Sequence, residues 1–167
     1  YELLHRSYIL TARDIFDDFM IALEWYRPIE KRFWLPRRDK LLTIANALQE
    51  LADDELDELF ISQPPRTGKS TLAMFFLIWM ICRDPDATNL YSSYTKDVVD
   101  IFYNGILEVF QDPDTYDLLT IFPKATVVAT NAAIGSINVG KKTSYPSVML
   151  RAINQALNGL ADASGLD

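Results

Sequence analysis

The sequence predicts an α/β fold, a mainly parallel sheet flanked by helices, and three observations predict it. Short apolar runs of strand length alternate with segments whose apolar residues recur at intervals of three and four. The first such run, Leu59-Phe60-Ile61, passes through a Pro/Gly loop straight into a long apolar helix. Beyond that helix comes a second short run, then another helix, the order of a sheet built by crossover connections.

Taken in order, Ile15, Phe16, Phe19, Met20, Leu23 and Tyr26 mark a helical face over 13–26, which Pro28 ends. A second helix restarts after Pro36 on Leu41, Leu42, Ile44, Ala45, Leu48 and Leu51, and runs into the acidic stretch "ELADDELDELF". Leu59-Phe60-Ile61, bounded by acids and by Pro64-Pro65, reads as a buried strand. The loop 63–69 follows, then a helix over 70–83. A turn in "RDPDATN" leads to a strand over 89–92. Thr95 is placed to cap a helix carrying Val98, Val99, Phe102, Ile106, Leu107 and Phe110. A short helix is expected over 115–121, and 125–154, rich in β-branched and small residues, reads as short strands and turns. Residues 1–58 thus form a helical lead-in, and 59–167 the core.

The 167 residues suffice for one hydrophobic core. A hydrophobic fraction of 49% with 23% charged residues is that of a globular chain. The longest apolar run, Leu72–Cys82, reaches about half of the roughly 20 residues of a membrane span, so no membrane partner is expected. One cysteine, Cys82, and one histidine, His5, exclude an internal disulfide and a His-rich metal site; Cys82 reads as core and His5 as peripheral. The net charge of −7 confines any nucleic-acid contact to local basic stretches such as "RPIEKRFWLPRRDK".

Chemistry concentrates in "LFISQPPRTGKST". It matches the phosphate-binding pattern G-x-x-x-x-G-K-[ST] except that Gln63 stands at the first glycine. Pro64 and Pro65 have no N–H to give, so phosphate donors must come from Arg66, Thr67, Gly68, Lys69, Ser70 and Thr71, at the start of a helix. Gly68 permits close approach, Lys69 would reach the β- and γ-phosphates, and the Ser70 hydroxyl would ligate Mg²⁺. Arg66 reads either as a guanidinium acting on the γ-phosphate in cis or as a structural arginine. An ATPase of this kind also needs an apolar strand ending in an acid. Only "SGLD", at the end of the sequence, begins such a strand, so the chain reads as a fragment, starting at Tyr1 and hydrolysis-deficient by itself.

These residues resemble the N-terminal ATPase domain of the large subunit of tailed-phage DNA-packaging terminases. The resemblance rests on "LFISQPPRTGKST", "LYSSYTKDVV", "YDLLTIFP" and "LRAINQALNGLADASGLD", in that order, over most of 33–167. It implies a RecA-like core, binding of ATP and Mg²⁺, and hydrolysis coupled to moving double-stranded DNA into a capsid. It also implies a homo-oligomeric ring on the portal protein, a small terminase subunit as partner, a nuclease domain elsewhere in the intact protein, and residence in the host bacterial cytoplasm, transiently on the procapsid portal. By the same resemblance "FWLPRRDKLL" corresponds to the adenine-recognition region, with Phe33 or Trp34 to stack and Arg37 or Arg38 to contact the base. Arg151 corresponds to the arginine a neighbouring subunit supplies. Lys141 and Lys142 form a basic turn suited either to a DNA backbone or to water. Two other readings stay open: a helicase-like or other RecA-type ATPase moving on nucleic acid, and a nucleotide-binding interaction domain without hydrolysis.

Overall fold

The computed structural model describes residues 1–153. The fold is α/β, with a four-stranded open mixed sheet of order β1-β4-β3-β2 and helices packed around it. The helices are α1 (Glu2–Thr11), α2 (Phe16–Leu23), α3 (Arg38–Ala52), α4 (Lys69–Arg83), α5 (Lys96–Gln111) and α6 (Leu118–Ile121). The strands are β1 (Asn89–Ser93), β2 (Val127–Asn131), β3 (Ser136–Val139) and β4 (Val148–Ala152). Among the described residues, no helix is long and apolar enough to cross a membrane.

The sheet is not mainly parallel, as the sequence led us to expect. Only β1 and β4 run parallel; β2–β3 and β3–β4 are antiparallel. The cause is the tight turn between β2 and β3. Asn131 Oδ1 accepts from the N–H groups of Ala133 and Ile134, at 3.1 and 3.4 Å, and Gly135 takes a φ of +64°. So short a connection can only reverse the chain. The segment 140–147 reverses it again, held by buried Ser147, whose hydroxyl accepts from Val139 N–H and donates to the Pro85 carbonyl.

The expected strand at Leu59-Phe60-Ile61 does not form either. That segment is unpaired, and Phe60 is 89% exposed. A strand is defined by its ladder, and no described residue offers one here. The helix expected over 13–26 is shorter, spanning Phe16–Leu23, and a separate helix that the apolar spacing did not mark, α1, precedes it across a turn at residues 12–14. His5, expected at the periphery, is buried, stacked on Trp25 at 4.7 Å and 3.1 Å from Asp117 Oδ2.

Packing explains where α4 lies. Phe75, Ile78, Trp79, Ile81 and Cys82 are buried along it. Trp79 meets Phe16 and Phe19 of α2, and its Nε1 donates to the Ala12 carbonyl at 2.8 Å. Burial pushes the Cys82 thiol far above its ordinary pKa, as befits a core residue. Helix α5 starts where Thr95 Oγ1 accepts from Val98 N–H, and covers the parallel pair, with Phe102 stacked on Tyr91 at 4.0 Å.

Gly135 ties the β2–β3 turn to β4. A Cβ there would stand 2.2 Å from the Leu150 carbonyl oxygen, at a φ that side chains resist. Gly135→Ala is expected to lower unfolding free energy by more than about 1 kcal/mol in urea titrations. An unchanged midpoint would contradict the close approach.

Candidate nucleotide-binding loop

The loop between Gln63 and α4 is built by its own backbone. Gly68 caps α4 in the left-handed region, with φ 97° and ψ 7°, and its carbonyl accepts the first helical bond from Leu72 N–H at 3.0 Å. Arg66 also has positive φ, 64°. For a residue with a Cβ that conformation costs about 1–2 kcal/mol. Thr67 Oγ1 donates to the Pro64 carbonyl at 3.0 Å and closes the turn.

The outcome is a run of backbone donors. Among the described residues, the N–H groups of Arg66, Thr67, Gly68, Lys69, Ser70 and Thr71 have no hydrogen-bond acceptor. They lie at a helix N-terminus, where the peptide dipoles add a partial positive charge. Lys69 folds back over the loop, its Nζ donating to the Gln63 carbonyl at 3.1 Å. Arg66 makes no ion pair or side-chain hydrogen bond among the described residues, and Ser70 is exposed in the first turn of α4.

The loop rests on the aromatic segment before α3. A Cβ at Gly68 would lie 2.8 Å from Phe33 Cε2 and 3.3 Å from Arg37 Cδ, so only glycine lets the loop sit this close. Phe33 in turn meets Phe75 of α4 edge to face at 5.5 Å. Arg37 lies 5.3 Å from the centre of the Phe33 ring and donates to the Phe33 carbonyl at 3.1 Å. The structure therefore brings Arg37 beside the loop.

Phe33 and Trp34 are not platforms for a base. Trp34 has no exposed surface and Phe33 is buried under the loop. Trp34 Nε1 donates to Asp17 Oδ1 at 2.7 Å. Arg38 forks onto the same Asp17 carboxylate, at 2.7 Å from NH2 to Oδ2 and 3.0 Å from Nε to Oδ1. That hydrogen bonding raises its already high pKa and leaves Arg38 a structural part.

The residue that sequence reasoning missed is Glu24. Its carboxylate is 1% exposed and accepts from Phe33 N–H at 2.8 Å, Trp34 N–H at 2.9 Å and Arg27 at 2.9 Å. An acid inside the apolar run "FMIALEWY", followed by a stretch rich in arginine, was the available signal.

The other predicted residues lie elsewhere. Arg151 is half-buried on β4, opposite Ser92 of β1, and lines a small hollow with Lys96 and Asp100. Lys141 lies 3.2 Å from Asp86 at the surface, and Lys142 is exposed. The Gly-rich stretch and "SGLD" lie outside the described residues. Among the described residues, no group of His, Cys, Asp and Glu could by itself hold a metal ion. Comparison with protein-family models, curated proteins and solved structures finds no match.

Glu24→Ala is expected to cost about 3 kcal/mol or more, because it leaves two buried N–H groups and Arg27 without their acceptor. Urea unfolding of the variant measures it, and a loss below about 1 kcal/mol would show that the segment holds its place without the carboxylate.

Proposed function

We infer that the chain binds ATP with Mg²⁺ at residues 66–71 and belongs to an ATPase motor. The observation that carries this reading is the uninterrupted series of free N–H groups at the start of α4, with Lys69 folded over it. Such a series is suited to an anion, and Lys69 beside it favours a phosphate.

In this reading the N–H groups hold the phosphates and Lys69 exchanges the Gln63 carbonyl for phosphate oxygen. Gln63, Pro64 and Pro65 fix the loop's entry. The Ser70 hydroxyl supplies the protein's oxygen to Mg²⁺, whose chemistry is to neutralise charge on the phosphates. Arg66, free of any carboxylate among the described residues, is available to the terminal phosphate. Arg37, at the edge of the loop, is the remaining candidate for contact with the base.

The wider reading follows the sequence resemblance: a RecA-like motor of a phage terminase large subunit, driving double-stranded DNA into a capsid. Its partners would be a portal protein, a small terminase subunit and further copies in a ring, with Arg151 offered to a neighbour's ATP, in the host cytoplasm. The α/β class is shared with that architecture, the mixed sheet and the unpaired segment 59–61 depart from it, and the loop chemistry is the support for the reading.

MgATP at about a hundred times its dissociation constant is expected to stabilise the chain by about 2.7 kcal/mol, a shift of several degrees in thermal unfolding. Lys69→Ala should remove that shift while leaving the unliganded melting temperature nearly unchanged, since Lys69 Nζ holds only one exposed bond. Equal protection of variant and parent would contradict the assignment.

A further inference from the structure

The far end of α4 carries a recess that the nucleotide reading does not use. A cleft of about 500 Å³ opens where the end of α4 meets the turn after α1 and the segment 122–125. Its floor is apolar: Phe122, Cys82 and Ala125 are buried there, with Pro85 beside them. Three cations border it, Arg13, Arg83 and Lys124, against one acid, Asp14, in a chain of net charge −7.

The cations differ in how far they are committed. Arg13 Nε donates to the Ile121 carbonyl at 2.8 Å, and the guanidinium carbon lies 6.0 Å from the centre of the Phe122 ring. Its terminal nitrogens have no acceptor among the described residues. Arg83 lies over the Trp79 ring at 4.4 Å and 3.6 Å from Asp53, which balances part of its charge. Lys124 is exposed and has no carboxylate within ion-pair distance among the described residues.

A guanidinium anchored through Nε, with both terminal nitrogens free, is prepared to fork onto an oxyanion. Beside it lies apolar surface in a cleft whose volume falls within the range of small-molecule sites. We propose that this cleft binds an organic oxyanion, a phosphate or carboxylate carried on an aromatic or branched apolar body. The oxyanion lies between Arg13 and Lys124, and the body lies against Phe122 and Pro85. A nucleic-acid backbone fits less well, because it asks for cations along an open track rather than around an apolar recess. The fifteen residues of α4 separate the cleft from the loop by about 20 Å, so the two sites are distinct.

Phenyl phosphate and benzoate are the probes, and inorganic phosphate and benzyl alcohol each carry half of the chemistry. Binding is followed by amide NMR shifts. At least one aromatic anion is expected to saturate and to shift residues 82–85 and 122–125, about tenfold or more tighter than either half. The tighter of the two identifies phosphate or carboxylate as the preferred head group. Lys124→Met, an exposed change, is expected to weaken binding about tenfold and Arg13→Met more, whereas Lys69→Ala leaves it unchanged. The proposal is overturned if neither aromatic anion saturates or if inorganic phosphate alone binds equally well. Undiminished binding by both cleft variants, or shifts of residues 82–85 and 122–125 by a DNA duplex but by neither aromatic anion, would overturn it too.

Discussion

The buried carboxylate of Glu24 is the constraint on which the position of the candidate site depends. It lies at the C-terminal end of α2, and both of its oxygens are committed, to Phe33 N–H and Arg27 on one side and to Trp34 N–H on the other. Taking a carboxylate out of water costs several kcal/mol, and charge-assisted bonds of this kind offset that cost. The two amides belong to the segment that ends at Arg37, so the carboxylate decides where the Phe33 ring lies. That ring occupies the space a side chain on residue 68 would need. An acid on a helix remote in sequence thereby positions the loop.

The loop combines a firm seat with an open mouth. Below it, Phe33, Phe75 and the buried face of α4 are packed, and Trp79 fastens the far half of the helix to the turn after α1 through the Ala12 carbonyl. Above it, consecutive N–H groups are left to solvent, and Arg66 holds a left-handed conformation. Strain and unpaired donors in one short segment, supported by a packed base, are where local structure departs from its most stable form. An anion bound there would recover the stabilisation those donors lack.

Much of this was legible in the sequence where periodicity is long and local. Helices α3, α4 and α5 lie close to the positions their apolar spacing predicts, and the Thr95 cap is where a side-chain oxygen precedes that periodicity. The loop donors were countable because proline has no N–H. The strand at 59–61 was misread because three apolar residues fit any extended segment, and pairing depends on distant chain. The mixed sheet was missed because the turn at Asn131–Gly135 shows no Asn-Gly pair, only an Asn whose side chain caps the turn and a glycine four residues on. Helix α1 carries Leu3, Leu4 and Leu10 on exposed positions and packs through His5, Tyr8 and Ile9, so apolar spacing did not mark it. Glu24 reaches the Phe33 and Trp34 amides and Asp17 reaches Trp34 and Arg38 across turns that apolar periodicity does not encode.

Amide NMR of the isotopically labelled chain titrated with MgATP tests the central claim most directly. The account predicts that the largest shifts fall on the amides of residues 66–71, with smaller ones at Phe33 and Arg37 beneath them. Saturable ATP binding that leaves those amides unmoved, or no binding at all, would contradict it.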